Sequence, residues 1–495
     1  MHSRRARGLR FTGLALSALG LGAGCGESPD NTAADAATDV FLAFDVPLVN
    51  DVVVVEDRPA AMDVQRPVDA PTVQDVASPG DVKDVRFVFD VQAPVDGEVL
   101  PGDGGAGEGC GPTPAVAEHV TAMATAGWAT LNRGAAIMMH GCAGASRPQD
   151  CLASAPLVGT TTFGANWQPE ALTNTHLRLL YTANYSSSFW SRSSADGRFV
   201  GLGARIVDLA APRMINTAAQ YDPGFFPDNS GFFYHSTLGP RACAQSVLST
   251  GMPTMITLQE PGCTRAASVG LYEHLGAALS GGDYYVVYGR YSSDNGGHSP
   301  TLRDTPATFG AGERQQVTVM TNTGSGFTVA GTGAVATPNE ADPIISPSGR
   351  LMITRTTGPS GPAFVLRRLE VSRTGAAVSV SAPVIGRYCF SGGKGSISYD
   401  ERYFTYHHYV TDADAVDMGF TGPDDPAFAA YRTRGAANSY LVDLRTGART
   451  RITNMQPGQY ALFPHFRSDG WLYIIVRTAG TTPEHIIASD AALTL

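Results

Sequence analysis

The sequence predicts an all-β protein whose main domain is a β-propeller of six blades, preceded by a signal peptide and a disordered acidic tether. Three observations lead to this fold class. A tight-turn phrase followed by an aromatic or β-branched strand recurs six times after residue 190, and further hairpins lie between its copies. Glycine, serine, threonine and β-branched residues dominate residues 110–495, and a helical pattern is confined to AVAEHVTAMATA at 115–126. Repeated hairpins without helices are typical of all-β repeat architectures.

The first 24 residues have the layout of a bacterial secretory signal. Four arginines precede an apolar stretch at 11–21, which is too short to span a membrane as a helix. The motif LGAG then leads to Cys25 and resembles the lipobox of bacterial lipoproteins, although glycine stands where that family usually has leucine. The resemblance implies cleavage before Cys25 and lipidation of this residue. The alternative is an ordinary cleaved signal.

Residues 25–109 form the predicted tether. An aspartate, mostly followed by valine, returns every six residues from Asp39 to Asp81 and, after a slip, from Asp84 to Asp96. Prolines interrupt this run and would break a β-ladder, so an extended, self-repelling chain is favoured over a hexapeptide solenoid. A calcium-binding repeat is the functional alternative, but the run lacks the turn glycine that converging ligands require.

A lipid at Cys25 would explain the tether. Acyl chains insert into a bilayer, and each buried methylene contributes about 0.8 kcal/mol. Residues 26–109 carry 14 Asp and 4 Glu against 3 Arg and 1 Lys, and this charge would hold the folded domain away from an anionic membrane surface. Gly26 replaces the aspartate that retains enteric lipoproteins in the inner membrane. The resemblance therefore implies an outer-membrane lipoprotein, on the periplasmic side or at the cell surface.

The remaining chain is electrically balanced. Residues 110–495 hold 27 acidic and 27 basic residues and contain no basic run. Because a phosphate footprint needs clustered Lys and Arg, nucleic acid is not an expected partner. The net charge of −10 therefore comes from the tether.

Six cysteines besides Cys25 fit an oxidising compartment and three disulfides. Two pairs close short loops, and the third follows by elimination. The expected pairs are Cys142–Cys151, Cys243–Cys263 and Cys110–Cys389. No CxxC pair occurs, which argues against a zinc or thioredoxin-like site.

The six turn phrases mark the blades. They read SSADGRFVGLG at 193, FPDNSGFFYHS at 226, LSGGDYYVVYGR at 279, ISPSGRLMITR at 345, ISYDERYFTYHH at 397 and FRSDGWLYIIVR at 466. Gly and Asn tolerate positive φ and Asp caps its own turn, so residues such as Asp196 and Gly197 are expected to build turns and not sites. In two copies a proline stands six residues before the turn glycine, at Pro343 and Pro464.

A second hairpin completes each unit. ARIVDLAAPRMINT follows the first turn, FVLRRLEVSRTGAAVSV is another copy, and SYLVDLRTGARTRIT precedes the last turn. Two hairpins give four strands, which make one propeller blade. The segment SADGRFVGLG with ARIVDL, at 194–209, resembles the TolB-type β-propeller repeat, and the similarity covers about 160–495. TolB is an interaction protein of the Tol–Pal envelope system, but the lipobox, the tether and residues 110–160 depart from its pattern.

The predicted propeller covers 166–495, and residues 110–165 form an N-terminal extension. The last blade shows three strands, and propellers close by borrowing a strand from the other terminus. A segment within 130–165, such as AAIMMHG or APLVGTTTF, is expected to supply this strand. A seventh blade, if present, would lie in 110–165.

Catalytic motifs are absent from the sequence. Neither GxSxG nor HExxH occurs. His407 and His408 follow each other in a predicted strand and therefore point to opposite faces. One of them is a candidate ligand in the central channel, although a structural strand histidine is favoured.

Two acidic loops are candidate calcium sites, and no other cofactor is expected. The loop SSDNGGH contributes Asp294 and Asn295 but lacks the full set of EF-hand ligands. The loop TDADAVDMGFTGPDDP contributes five carboxylates, those of Asp412, Asp414, Asp417, Asp424 and Asp425. Solvated loop tips are the alternative for both segments.

The favoured function is a membrane-tethered, extracytoplasmic propeller that binds an envelope protein or glycan as a monomer. One alternative is a surface enzyme acting on polysaccharide, which would resemble oligogalacturonate lyase, a related propeller with a metal in its channel. Several histidines with Gln or Glu converging at the channel mouth would favour the lyase, whereas a channel of Ser, Thr and aliphatic residues would favour binding. A structural spacer without a specific ligand is the third alternative.

Overall fold

Antiparallel strands are the main regular secondary structure in the part of the chain described by the computed structural model. It describes residues 109–126, 139–158, 175–184, 191–202, 205–216, 224–235, 242–246, 253–257, 276–290, 313–323, 327–356, 362–479 and 483–495. The predicted signal peptide, the predicted tether up to residue 108 with Cys25, and the loop with Asp294 and Asn295 lie outside these residues. None of the helices in the described part has the length and apolar character needed to cross a membrane.

Three elements precede the ring of blades. They are β1 (Gly111–Pro112), helix α1 (Pro114–Ala126) and β2 (Leu177–Ala183). Val116 and Val120 of α1 are buried among residues of the later blades, so this helix packs against the propeller core. The sequence pattern at 115–126 thus predicts this helix to within a residue.

Together with β2, the strands that follow it form six four-stranded antiparallel groups and one inserted hairpin. Blade 1 contains β3 (Ser191–Ser193), β4 (Phe199–Leu202), β5 (Arg205–Asp208) and β6 (Arg213–Asn216). Blade 2 contains β7 (Gly224–Phe225), β8 (Phe232–His235), β9 (Ala242–Ser246) and β10 (Pro253–Thr257). Blade 3 contains β11 (Gly276–Ser280), β12 (Asp283–Arg290), β13 (Arg314–Asn322) and β14 (Phe327–Ala336). This order of strands confirms the all-β propeller fold.

The second half of the ring carries two insertions. Blade 4 contains β15 (Glu340–Ile345), β16 (Leu351–Thr356), β17 (Ala363–Arg368) and β20 (Val384–Tyr388), with the hairpin β18 (Glu370–Thr374) and β19 (Ala377–Ser381) inserted before its last strand. Blade 5 contains β21 (Gly393–Ile397), β22 (Tyr403–Tyr409), β23 (Ala437–Asp443) and β24 (Arg449–Arg451), with helix α2 (Ala429–Arg434) in the insertion between β22 and β23. Blade 6 contains β25 (Gln459–Phe466), β26 (Leu472–Thr478) and β27 (Glu484–Ser489), and helix α3 (Ala491–Thr494) follows.

Strand β2 completes blade 6 and closes the ring. It pairs antiparallel with β27, from Leu177 opposite Ser489 to Ala183 opposite Glu484. The prediction that a borrowed N-terminal strand closes the propeller is confirmed, but the predicted segment was wrong. Among the described residues of 130–165, only Leu157 joins the sheet, as an isolated bridge to Arg178.

The six turn phrases fold as their chemistry predicts. In blade 1, the Gly197 amide donates to the Ser194 carbonyl at 2.9 Å, and Gly197 has a φ of +70°. The Ser194 hydroxyl accepts the Phe199 amide at 3.0 Å, and the Asp196 carboxylate accepts the Arg198 amide at 3.0 Å. Ser346 and Ser398 make the same bonds to the residues five positions on. These residues therefore build the turn between the first two strands of their blades.

Candidate functional site

The innermost strands of all six blades line one central cavity. Each strand contributes at least one wall residue, namely Arg192 from β3, Phe225 from β7, Ala277 from β11, Ile344 from β15, Ser396 from β21 and His465 from β25. The space open to water-sized occupants is about 40 Å³. That volume holds a few waters, whereas sites for small-molecule ligands span about 300–1,000 Å³. The described part of the channel therefore has no room for a buried sugar ring.

Three neighbouring blades carry a bulge at the same place in their innermost strand. The register shifts within β15, β21 and β25, and each shift contains a non-glycine residue with positive φ. These residues are Asp342 at +54°, Lys394 at +42° and Phe463 at +54°. Each lies seven positions before the turn residue of its blade. Such backbone costs of order 1–3 kcal/mol per residue and is retained mainly at functional sites.

The second residue of each bulge explains why the backbone can bend there. Blades 4 and 6 have proline at this position, Pro343 and Pro464, and neither needs to donate to a β-ladder. Blade 5 has Gly395, and a Cβ at this position would lie 1.5 Å from the Thr405 carbonyl oxygen. The two prolines noted in the sequence thus mark the positions where the innermost strands of blades 4 and 6 bulge.

Buried charges surround the bulges. Asp342 is 1% exposed, and its carboxylate lies 2.9 Å from the Arg355 guanidinium. Lys394 is 8% exposed, and the imidazole of His407 is almost fully buried close to it. The Phe463 amide donates to His407 Nδ1 at 3.3 Å, which ties blade 5 to the bulge of blade 6. We call Asp342, Arg355, Lys394 and His407 the bulge cluster.

The electrostatics of the cluster keep His407 neutral. Burial and, to a smaller extent, the nearby positive charges of Lys394 and Arg355 together lower the pKa of His407 to about 3. Burial and the Arg192 guanidinium likewise lower the pKa of His465 to about 3. A general acid or base works best with a pKa near the working pH, so neither imidazole is suited to proton transfer.

His408 points away from this cluster, as the alternation of a strand requires. Its Nε2 lies 2.9 Å from the buried Asp414 carboxylate, which also accepts the Thr411 amide at 2.7 Å. Burial alone would raise the pKa of Asp414, but the opposing effects of His408 and Thr411 prevail and lower it to about 2. Asp414 therefore anchors the start of the blade 5 insertion.

The other predicted calcium ligands of this insertion have separate partners. Arg432 pairs with Asp412 at 2.7 Å and lies 3.7 Å from Asp424, Arg449 pairs with Asp417 at 3.1 Å, and Asp425 accepts the Thr421 amide at 3.0 Å. The structure thus distributes the five carboxylates and does not bring them together at one point. In the described ranges, the one cluster of three ligand atoms comprises Cys142, Cys151 and Asp469, and its two sulfurs are joined to each other.

Two of the three expected disulfides are present in the structure. Cys110 joins Cys389, which ties the segment before α1 to the segment between blades 4 and 5. Cys142 joins Cys151 in the loop below blade 6. The residues of the third expected pair, Cys263 and the side chain of Cys243, lie outside the described part of the chain.

Most of the bulge cluster is not predictable from local sequence patterns. His407 is a candidate from its place in a strand, but no motif points to Asp342, Arg355, Lys394, Arg192 or His465. The available signal was the proline six positions before the turn glycine, because it recurs at a fixed distance from a turn that is easy to recognise. The same spacing cannot be recognised in blade 5, because glycine replaces the proline and Glu401 replaces the turn glycine.

Comparisons with known proteins give only distant structural likenesses. No family model matches the chain, and no curated protein sequence is detectably similar to it. The Cps50 (Swd1) β-propeller domain of Myceliophteria thermophila is 11% identical, with a TM-score of 0.34, and the match covers 65% of this chain and 99% of that one. An oligogalacturonate lyase from Vibrio parahaemolyticus is 9% identical, with a TM-score of 0.36, and covers 68% and 98%. A candidate TolB from Agrobacterium tumefaciens is 12% identical, with a TM-score of 0.31, and covers 64% and 100%. TM-scores of this size carry no weight for function, and the propeller assignment rests on the strand order.

Proposed function

We propose that this propeller is a binding module that engages a protein or glycan of the bacterial envelope, acting as a monomer. The observation that supports this proposal is the set of strained bulges in three neighbouring blades, together with the buried charges of the bulge cluster in blades 4 and 5. Strain and buried charge both cost free energy, and a protein keeps them where recognition or chemistry uses them.

The chemistry of the cluster supports binding more than catalysis. His465 on the cavity wall and His407 of the bulge cluster are both neutral at physiological pH. Apart from Arg192, the other side chains of the wall are serine, aliphatic and aromatic. Within the residues that the structure describes, no group of histidines and carboxylates converges on the cavity in the way that the lyase alternative requires. A rigid ring with charged groups fixed at one end suits recognition of a polar partner.

The test uses a soluble form of the protein, Cys25→Ala, immobilised and exposed to solubilised envelope proteins, peptidoglycan and lipopolysaccharide in separate experiments. Lys394→Glu reverses a charge of the bulge cluster. The matched control is Arg445→Glu, which reverses an exposed charge in the turn between β23 and β24, at the opposite end of the blade. We expect one envelope component to be retained by the wild type and by Arg445→Glu, and lost by Lys394→Glu. Equal retention by all three proteins, or retention by none, contradicts the proposal.

We further propose that Cys25 carries the lipid and that the acidic tether holds the propeller off the membrane. Two disulfides in the folded region support an oxidising compartment. The test is the mass of the mature N-terminal peptide from the native host. An acylated Cys25 at its first position is expected, whereas a mature chain starting at another residue contradicts the anchor.

A further inference from the structure

We propose that the propeller has a second binding site, a groove beside the β18–β19 hairpin that takes a neutral oligosaccharide. This site lies apart from the bulge cluster and does not depend on it. The groove, which we call the hairpin groove, has a volume of about 370 Å³ and is lined by residues of β11, β12, β18, β19 and the turn at 349–350. Its size falls within the range of sites for small ligands, unlike the central cavity.

The inserted hairpin forms one wall of the groove by strand alternation. Val378 and Val380 face β14, where a Cβ on Gly331 or Gly333 would lie within 2.8 Å of their methyl groups. The residues on either side of Val380, Ser379 and Ser381, point to the opposite face of the hairpin. Both line the groove, as does Val371 of the valine face. The hairpin is thus fixed on blade 3 through glycine contacts while its hydroxyl-bearing face stays open.

The groove wall offers unengaged hydrogen-bonding groups. Ser372 lies opposite Ser379, and Glu370 lies opposite Ser381. All four side chains are exposed, and none makes a hydrogen bond or ion pair with another residue of the described ranges. Three hydroxyls and a carboxylate at adjacent positions match the alternating donors and acceptors of a sugar.

The rest of the groove supplies apolar contact with balanced charge. The ring of Tyr285 and the buried side chain of Leu369 line it, and they suit the C–H face of a pyranose. Arg350 lines the same groove as Glu370, so the lining carries one positive and one negative group. Such a lining favours an uncharged glycan over a polyuronate. An extended peptide paired with the edge of β18 is the competing occupant.

The test is isothermal titration calorimetry of the folded protein with cellotriose, maltotriose and N,N′,N″-triacetylchitotriose, with trigalacturonate as the charged probe. Ser379→Trp fills the groove, and Glu370→Gln removes the charged acceptor. The control is Thr374→Trp, an exposed position on the same hairpin outside the groove.

We expect at least one neutral trisaccharide to bind, with Kd raised about ten-fold or more by Ser379→Trp and by Glu370→Gln, and unchanged within about two-fold by Thr374→Trp. Lys394→Glu should leave this affinity unchanged, which separates the groove from the bulge cluster. The proposal is overturned if no neutral trisaccharide binds, if trigalacturonate binds as tightly, or if Ser379→Trp does not weaken the binding. It is also overturned if an extended peptide is the only ligand whose binding Ser379→Trp abolishes.

Discussion

Glu401 illustrates how single residues depart from the repeat and are compensated elsewhere. It occupies the turn-glycine position of blade 5 with a φ of +54° and is fully buried. Its carboxylate accepts the hydroxyl of Ser348 and lies 2.5 Å from His119 Nε2 of helix α1. Ser348 in turn stands where other blades have the turn aspartate. The Ser348 hydroxyl itself accepts the Arg350 amide, as the turn aspartate does in blade 1. The Glu401 carboxylate therefore joins the turn of the preceding blade to the N-terminal helix.

The buried histidines make stability depend on pH. The pKa values of His407 and His465 are about 3 in the folded protein and about 6.5 when unfolded. Below pH 6.5 the unfolded chain binds protons that the folded protein does not, so the free energy of unfolding falls as pH falls. Between pH 6.5 and pH 5, each histidine should lower the free energy of unfolding by roughly 2 kcal/mol.

The measurement is urea denaturation at pH 7.5 and pH 5 for the wild type and for the double variant His407→Gln, His465→Gln. We expect the wild type to lose about 2–4 kcal/mol more than the variant between the two pH values. An identical pH dependence for both proteins would show that these imidazoles already take up protons in the folded state.

At the scale of elements, the bulges and the turns differ in how far the sequence reveals them. Turn residues such as Asp196 and Gly197 were predictable because their φ and hydrogen-bonding needs are local. His119 and Glu401, whose side chains are in contact, lie 282 positions apart in the sequence. A local sequence pattern cannot predict such a contact. The predictability of the bulge cluster is intermediate. Pro343 and Pro464 indicate a break in the β-ladder, but they do not indicate which charged residues surround it.

The bulge of blade 5 requires glycine at its second position. We expect Gly395→Ala to lower the free energy of unfolding by at least about 3 kcal/mol, because the added Cβ would lie 1.5 Å from the Thr405 carbonyl oxygen. Gly393→Ala is the matched control, since its Cβ would meet its nearest neighbour, His407, at 3.5 Å. Its loss should stay within about 1 kcal/mol. Chemical denaturation checks both, and equal losses would argue against the bulge geometry.

The two disulfides close loops of very different length. Cys142 and Cys151 are 9 positions apart, and Cys110 and Cys389 are 279 apart. Chain entropy predicts stabilisation of about 2–3 kcal/mol for the short loop and about 5–6 kcal/mol for the long one. Urea denaturation of the double alanine variant of each pair measures these losses. A greater loss for the Cys142–Cys151 pair would contradict the entropic reasoning.

The loop held by Cys142–Cys151 also supports the place where the ring closes. Arg467, fully buried in blade 6, donates to the His140 carbonyl at 2.8 Å and binds Asp469. Trp471 of the same turn donates from Nε1 to the Pro148 carbonyl at 2.7 Å. Residues 139–158 thus cover the base of blade 6, and this role explains why the segment does not supply the closing strand.

At the scale of the whole molecule, the sequence predicted the number of blades and the principle of closure. Repeated turn chemistry made the blades countable, and an incomplete last blade required a borrowed strand. The choice of that strand could not be predicted, because LRLLYTA at 177–183 and the expected segments at 130–165 have similar apolar patterns. The buried Leu177 decides it, since this side chain packs within the core cluster of blade 6 that includes Leu472 and Ile487.

Ring closure by β2 is tested most directly by a cross-strand cysteine pair. Thr182 lies opposite His485, and Thr182 Oγ1 is 3.1 Å from His485 Nδ1. We predict that Thr182→Cys with His485→Cys forms a disulfide under mild oxidation, detected as a linked peptide by mass spectrometry. The control is Thr182→Cys with Ala488→Cys, where Ala488 instead lies opposite Arg178. Linkage in the first variant and not in the second is the expected result. No linkage in the first, or equal linkage in both, would contradict a propeller closed by β2 in this register.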